Sequence, residues 1–415
     1  MSNDPLNSHT LRGQEIVCVG FAEWNPELPT NQHHLMSRLA QTNRVLFVES
    51  LGLRRPQLAT RDVRRVFRRL RDGLRGSRTE GDMHVLSPIA LPAHGYRILR
   101  LVNGFLLRRQ VGNAVARLGF DRPILWGYVP HAEVLLENLD PSLVIYHCVD
   151  DLAAQKGVDA KSFRAAEQRF ATRADLVLAS APSLSERLRL IAGRVLDAPN
   201  VADVDFFSTA LEEGRVDEAV AGLPPPRIVF TGAIVATKVD TEWLAALARM
   251  RPHWSFALVG PVGLGDPGTD ISALRSVPNI HLLGPRPYRM LPDVLRGADA
   301  AIVPYALNAL TASVFPMKVY EYLAAGLPVV STPLPALDGL AGLTIVRDVD
   351  SAATALGELM AEDSRERRRQ RSSLAHGHSW TDRLAEIAAA VHALRPMGES
   401  EAGDDNLTLA LAEHQ

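Results

Sequence analysis

The sequence predicts an α/β protein built from two parallel-sheet domains, and three observations carry that reading. Short apolar runs alternate with helical patterns along the chain. A proline run, Gly222-Leu-Pro-Pro-Pro226, interrupts the alternation near its middle. The 415 residues, 47% of them hydrophobic, suffice for two cores of ordinary size.

The elements follow in order. Residues 1–13 are polar, lack the apolar centre of a signal peptide, and read as a flexible N-terminus. The first domain, 14–221, carries strand-like runs at Ile16–Gly20, Val45–Val48, Ile124–Gly127, Leu143–Cys148 and Leu176–Ala179. Such short, uniformly apolar runs suit strands covered on both faces. Residues 222–226 read as a stiff linker. The second domain, 227–379, repeats the pattern at Ile228–Thr231, Ser255–Val259, Ile280–Leu283, Ala300–Pro304 and Pro328–Ser331. A helical pattern from Trp380 to Leu394, within 380–396, reads as a helix that packs back toward the first domain. The tail, 397–415, begins acidic and polar and reads as flexible. Two Rossmann-like halves with a hinge place a ligand beyond the carboxyl ends of the strands, in the interdomain cleft.

Composition narrows the chemistry. A formal net charge of −2 gives no global attraction to nucleic acid. Cys18 and Cys148 lie in apolar runs and read as buried reduced thiols, which suits a cytoplasmic protein. No Cys or His pair has metal-ligand spacing, so neither a metal nor a cofactor is expected. No run of about 18 apolar residues is present to span a membrane. Gly263-Leu-Gly-Asp-Pro-Gly268 matches G-x-G-x-x-G, but Pro267 interrupts it and no acid occurs from Ile271 to Pro292. It reads as a loop, not a dinucleotide site.

The densest signal is Ser313-Val-Phe-Pro-Met-Lys-Val-Tyr-Glu-Tyr-Leu-Ala-Ala-Gly-Leu-Pro-Val-Val-Ser331. It reads as a loop, a short helix, a glycine stop and a buried strand. Pro316 suits a first helical turn and Gly326 the left-handed position past a helix end. Lys318 and Glu321 are three apart and share a face. They read either as a surface pair or as a handle for a nucleotide diphosphate at the helix start.

P-x-K-x-x-E-Y-L-A-x-G-x-P-V-V-S-T resembles the donor-site signature of GT-B glycosyltransferases, closest to glycosyltransferase 4-type enzymes and their TuaH-like, teichuronic-acid-biosynthesis relatives. Ala174–Ser180 resembles the last N-domain strand of that family, and Pro199–Phe207 its domain-crossing segment, with Val201 in place of a glycine. The resemblance implies a GT-B architecture and a cytoplasmic enzyme. Its reaction would move a sugar from a nucleotide-sugar donor to a cell-surface polysaccharide, exopolysaccharide or lipid-linked acceptor.

It also implies roles. Glu321 would hold the donor ribose, and Gly232, Lys238 and Lys318 the diphosphate. Arg286 and Tyr288 would flank the base. Thr311 and Ser313 would offer hydroxyls to the phosphates, or serve only as helix-entry residues. Ser313 stands where retaining members often carry a first glutamate. His131 matches the histidine that family members place near the donor sugar. Asp150 and Asp151 would orient the acceptor or take its proton. Trp24, Gln32, His33 and His34 fall at the cleft end of the first domain and are the candidate acceptor residues. A sugar-nucleotide epimerase of the same fold, or a non-catalytic nucleotide-sugar-binding protein, are the alternatives.

One segment stands apart. Residues 54–78 hold ten arginines opposed by Asp62 and Asp72, with an apolar stripe of Val63, Val66, Phe67, Leu70 and Leu74. With the apolar, arginine-bearing segment Tyr96–Leu118 this reads as peripheral contact with an anionic membrane, or as a core-packed helix with a solvated face.

Overall fold

The computed structural model describes residues 10–24, 29–50, 77–90, 97–155, 157–266 and 268–394. Its first sheet is built from β1 (Glu15–Val19), β2 (Arg44–Val48), β3 (Arg78–Glu80), β4 (Met83–Leu86), β5 (Ile124–Gly127), β6 (Leu143–Cys148), β7 (Leu176–Ala179) and β8 (Val195–Asp197). Among the described residues their order is β3-β4-β2-β1-β5-β6-β7-β8, with β3 antiparallel and the rest parallel. The second sheet holds β9 (Arg227–Thr231), β10 (Ser255–Val259), β11 (Ile280–Leu282), β12 (Ala300–Val303), β13 (Val329–Ser331) and β14 (Leu343–Ile345). It runs β11-β10-β9-β12-β13-β14, parallel throughout.

Residue alternation along the strands divides the first domain into two cores. Val17 and Val19 of β1 pack on one face with Leu46 and Val48 of β2, while Ile16 and Cys18 pack on the other with Val45 and Phe47. Both faces are covered, which is why the strands are apolar at every position. Cys18 and Cys148 are buried free thiols. Leu11 also enters the core, and Asn43 Nδ2 donates to its carbonyl at 2.9 Å. Residues 10–13 are therefore fixed to the domain, not part of a flexible N-terminus. The tail 397–415 lies outside the described residues.

Four helices matter for the site: α1 (Asn31–Ala40), α2 (Arg97–Leu118), α3 (Lys318–Ala324) and α4 (Trp380–His392). In α3 the first helical residue is Lys318, so Pro316 lies just ahead of the helix and not in its first turn. Gly326 closes it with φ of +74°, and Leu327 N–H returns to the Tyr322 carbonyl at 3.0 Å.

The crossing between domains comes earlier than the proline run. Val204, Phe207, Ala210 and Val220 are buried in the core of the second sheet. The chain thus leaves the first domain near Asn200–Asp203, and 222–226 is a turn on the second domain. A proline run marks where regular structure stops, not which core its neighbours join. The chain then returns: Trp380, Ile387, Ala388 and Val391 of α4 are buried against Leu35, Met36 and Leu39 of α1 in the first domain's core. Trp380 stacks on His34 at 5.3 Å, with the Arg38 guanidinium 5.8 Å from its ring.

Truncating this anchor leaves a cavity the size of an indole, for which core series give losses of about 3–5 kcal/mol. Trp380→Ala is expected to lower the free energy of unfolding by that amount, read from the shift of the urea midpoint. A midpoint within error of wild type would show that α4 contributes nothing to the first domain.

Candidate functional site

In each sheet the strand order reverses at one point, and the crevice beyond the carboxyl ends there is where open α/β sheets bind ligands. In the second sheet that point falls between β9 and β12. The chain leaving β9 carries Gly232 and Lys238, and the chain leaving β12 carries Pro304-Tyr305. In the first sheet it falls between β1 and β5, whose following loops carry Phe21–Trp24 and Tyr128–His131. The site is thereby assembled from backbone topology before any side chain is considered.

The charged groups converge on this crevice. Lys318 Nζ donates to the Tyr305 hydroxyl at 2.8 Å and lies 5.2 Å from the centre of the Phe230 ring. Gly232 beside it has φ of +126°, a backbone conformation that favours glycine. Lys238 lies on the same loop and is tied in place by the bridge between Val239 and Tyr305. From the opposite domain Asp150 enters the field of Lys238: burial pushes its carboxyl up, the Lys238 ammonium pulls it down, and Asp151 adds to the rise.

Glu321 is 8% exposed and makes no side-chain hydrogen bond among the described residues. Burial raises its carboxyl to about 7, against the opposing pull of Lys318. Lys318 and Glu321 are thus not a solvated surface pair. The lysine is spent on Tyr305, and the carboxyl lies largely buried beside it.

Other predicted residues are engaged elsewhere. Asp151 caps the turn Leu152–Ala154 and pairs with Arg164, so of the two aspartates only Asp150 faces the cleft charges. Arg286 is committed to Asp217 at 2.7 Å, which holds that carboxyl below its usual range and turns the guanidinium to a structural tie. Tyr288 packs on Phe206 and on His34 at 5.0 Å, and burial followed by the Glu321 charge raises its phenol. The Thr311 hydroxyl turns back to its own loop at Ala306 and Asn308, as helix-entry chemistry. Ser313 meets Ser183 of the first domain, hydroxyl to hydroxyl, at 3.1 Å. Position 313 is thus an interdomain contact.

The four acceptor candidates occupy the first turn of α1 and the loop before it. Gln32 is fully buried and its Oε1 accepts from Phe21 N–H at 2.8 Å. His33 accepts at Nδ1 from Thr30 N–H (3.0 Å), which leaves Nε2 to donate to the Glu23 carbonyl (2.8 Å). Trp24 packs on Phe47 and His33. These three shape the loop. His34 reaches across the seam, between Tyr288 and Trp380, and burial there lowers its imidazole to about 3. His131 is exposed in the turn Pro130–Leu135 that follows β5.

Two participants escaped the sequence reading. Tyr305 sits at the centre of the charged cluster; its signal is a tyrosine just past a strand's carboxyl end. Asn200 bridges the domains, accepting from Asn31 Nδ2 (2.8 Å) and donating to the Phe315 carbonyl (2.7 Å). It lies in the crossing segment, where only its neighbour Val201 drew notice.

Similarity to known proteins follows the same lines. Sucrose-phosphate synthase from Thermosynechococcus elongatus superimposes with a TM-score of 0.65 at 15% identity, over 92% of this chain and 99% of that one. HepE from Anabaena, in a structure with UDP-glucose, gives 0.63 at 13% identity over 91% of this chain and 99% of that one. The fold is GT-B. Residues 225–362, the third of the chain that carries Lys238, Tyr305, Lys318 and Glu321, match the family described as Glycosyl transferases group 1. A proposed teichuronic acid biosynthesis glycosyltransferase of Bacillus subtilis, TuaH, is 31% identical over 228 residues, which are 52% of this chain and 56% of that protein. The match thus spans little more than half the length of this curated relative.

Within the GT-B cleft Glu321 has a measurable signature. Its folded value of about 7 lies above the ordinary 4.5, so the folded protein holds a proton there that the unfolded chain releases. Its contribution to stability is therefore complete below 4.5 and is lost as the pH rises through about 7. Glu321→Gln removes the penalty. Urea unfolding should show the variant gaining on wild type between about pH 5 and about pH 8, by up to about 3 kcal/mol. An equal difference at both pH values would refute the buried, proton-retaining carboxyl.

Proposed function

We propose that this chain is a glycosyltransferase that transfers a sugar from a nucleoside-diphosphate sugar to a hydroxyl of a surface glycan or lipid-linked acceptor. The observation that carries this is the gathering of Lys238, Lys318 and Glu321 at the switch point of the second sheet, facing Asp150 across the cleft. Two ammoniums suit a diphosphate, and a buried carboxylate without hydrogen bonds suits a pair of ribose hydroxyls. The UDP-glucose in the HepE structure supports uracil as the base.

In this reading the bond from the anomeric carbon to the diphosphate oxygen breaks while the bond to the acceptor oxygen forms. The acceptor's proton passes to a group of the first domain, with Asp150 and His131 as the candidates. The nucleoside diphosphate leaves with its negative charge matched by Lys238 and Lys318, which are in place before the reaction begins. No metal or cofactor is assigned to this chemistry. Among the described residues no group of acidic, histidine or cysteine side chains has the arrangement of a metal site.

The acceptor side carries an apolar surface. Helix α2 buries Leu107 and Val111 but leaves Leu101 68% and Phe105 57% exposed. Among the described residues no helix is long and apolar enough to cross a membrane. The basic segment 54–78 lies outside the described residues up to 76, and Arg78 is engaged by Glu49, Glu80 and Ser87. We assign the exposed face of α2, with that segment, to peripheral contact with the inner face of an anionic membrane, where a lipid-linked acceptor would be met.

Two measurements test these readings. UDP or a UDP-sugar at about millimolar concentration should raise the melting temperature of wild type by several degrees, and Glu321→Ala should remove that shift while remaining folded. No shift with any nucleoside diphosphate would overturn the donor site. Sedimentation with anionic vesicles at low salt should carry the protein down, and Leu101→Asp with Phe105→Asp should reduce it. Equal sedimentation of the double variant would remove α2 from the contact.

A further inference from the structure

The bond between Lys318 and Tyr305 has a fixed direction. An ammonium has three donors and no acceptor, so the lysine donates and the tyrosine oxygen accepts. The hydroxyl proton of Tyr305 must then point elsewhere, and among the described residues no acceptor receives it. Tyr305 is 6% exposed, so water does not readily supply one. A buried hydroxyl normally satisfies its proton. The hydroxyl lies just past the carboxyl end of β12, beside the β9 loop that carries Lys238.

The surroundings decide what arrives there. Lys318 of α3 and Lys238 of the β9 loop place positive charge on the hydroxyl, while Asp150 of the opposite domain opposes them; Tyr322, on α3, is the other ionisable neighbour. Burial alone would raise the phenol, yet the two ammoniums bring it below its ordinary value. The ring is fixed as well. It packs edge-on to Phe230 at 6.5 Å, and its backbone carbonyl accepts from Thr332 Oγ1 at 2.7 Å. A rigid, acidified donor between two lysines is complementary to an anionic oxygen.

We propose that Tyr305 is a third ligand of the donor diphosphate, its hydroxyl held by Lys318 and giving its proton in a hydrogen bond to a non-bridging phosphate oxygen. This deepens the glycosyltransferase reading and rests on it. The hydrogen bond strengthens as charge moves onto the leaving diphosphate, so Tyr305 also favours departure. Lys318 acts on the phosphate partly through the tyrosine.

Calorimetric titration with UDP and with uridine separates the possibilities. Near neutral pH, Tyr305→Phe should bind UDP about tenfold more weakly than wild type, the worth of one hydrogen bond to a charged group, and bind uridine unchanged. As the pH rises the wild-type phenol ionises, loses its proton and repels the diphosphate. The gap between wild type and Tyr305→Phe should then close, while the lysines act on both alike. Equal UDP affinity in the two proteins overturns the proposal, and so does a parallel loss of UDP and uridine, which would mark a structural role. Wild type binding UDP no better than uridine is a different result, and it overturns the donor-site reading itself.

Discussion

The buried carboxylate of Glu321 is the constraint around which the donor half is arranged. A carboxylate without hydrogen bonds in a low-dielectric site is costly, and folding does not remove the cost. One ammonium, Lys318, offsets part of it. Yet that ammonium is drawn away by Tyr305 and by the faces of two rings. The arrangement leaves three mismatched groups: an acid short of donors, a phenol short of an acceptor, and a lysine shared between them. Such a set is stable only because tightly packed strands and α3 hold it in place, and a ligand with hydroxyls and phosphates completes all three together.

Besides the apolar packing of α4, the two domains meet through short polar contacts. Asn200 connects Asn31 of the first domain with the carbonyl of Phe315, just ahead of α3. Ser183 meets Ser313 in the same loop. Arg38 pairs with Asp203 at 2.7 Å. The first two bonds reach the segment that leads into the donor helix, and the third ties α1 to the crossing segment. His34, neutral between Tyr288 and Trp380, fills the remaining gap.

The fold was legible where burial is two-sided. Runs such as Leu143–Cys148 and Ser255–Val259 are apolar at every position because helices cover both faces. Of the four strands without a sequence signal, Met83–Leu86 lies one place in from an edge, while Arg78–Glu80, Val195–Asp197 and Leu343–Ile345 lie at sheet edges. There half the positions meet solvent and the apolar signal fades. In the site, Lys238, Lys318, Glu321 and Asp150 were legible because topology brings strand ends together. The diversion of Asp151 to Arg164 and of Arg286 to Asp217 was not. Ion pairs spanning 13 and 69 positions leave no local pattern. Tyr305 was invisible for the same reason, since its meaning lies in a lysine on another element.

The return of α4 to the first domain has a consequence for biosynthesis. The β-strands of that domain leave the ribosome first, but the surface formed by Leu35, Met36 and Leu39 stays uncovered until Trp380 and Ile387 arrive. At about 5–20 residues per second the wait after Ala198 is roughly ten to forty seconds. For that interval the first domain's core, in which Leu35, Met36 and Leu39 also meet Ile16 and Phe47, lacks its last helix. The second domain, whose core is drawn from residues after Val201, receives its last core residue, Ala375, just ahead of α4. The protein therefore completes its later domain while its earlier one is still waiting, and a chaperone's opportunity lies on the N-terminal half.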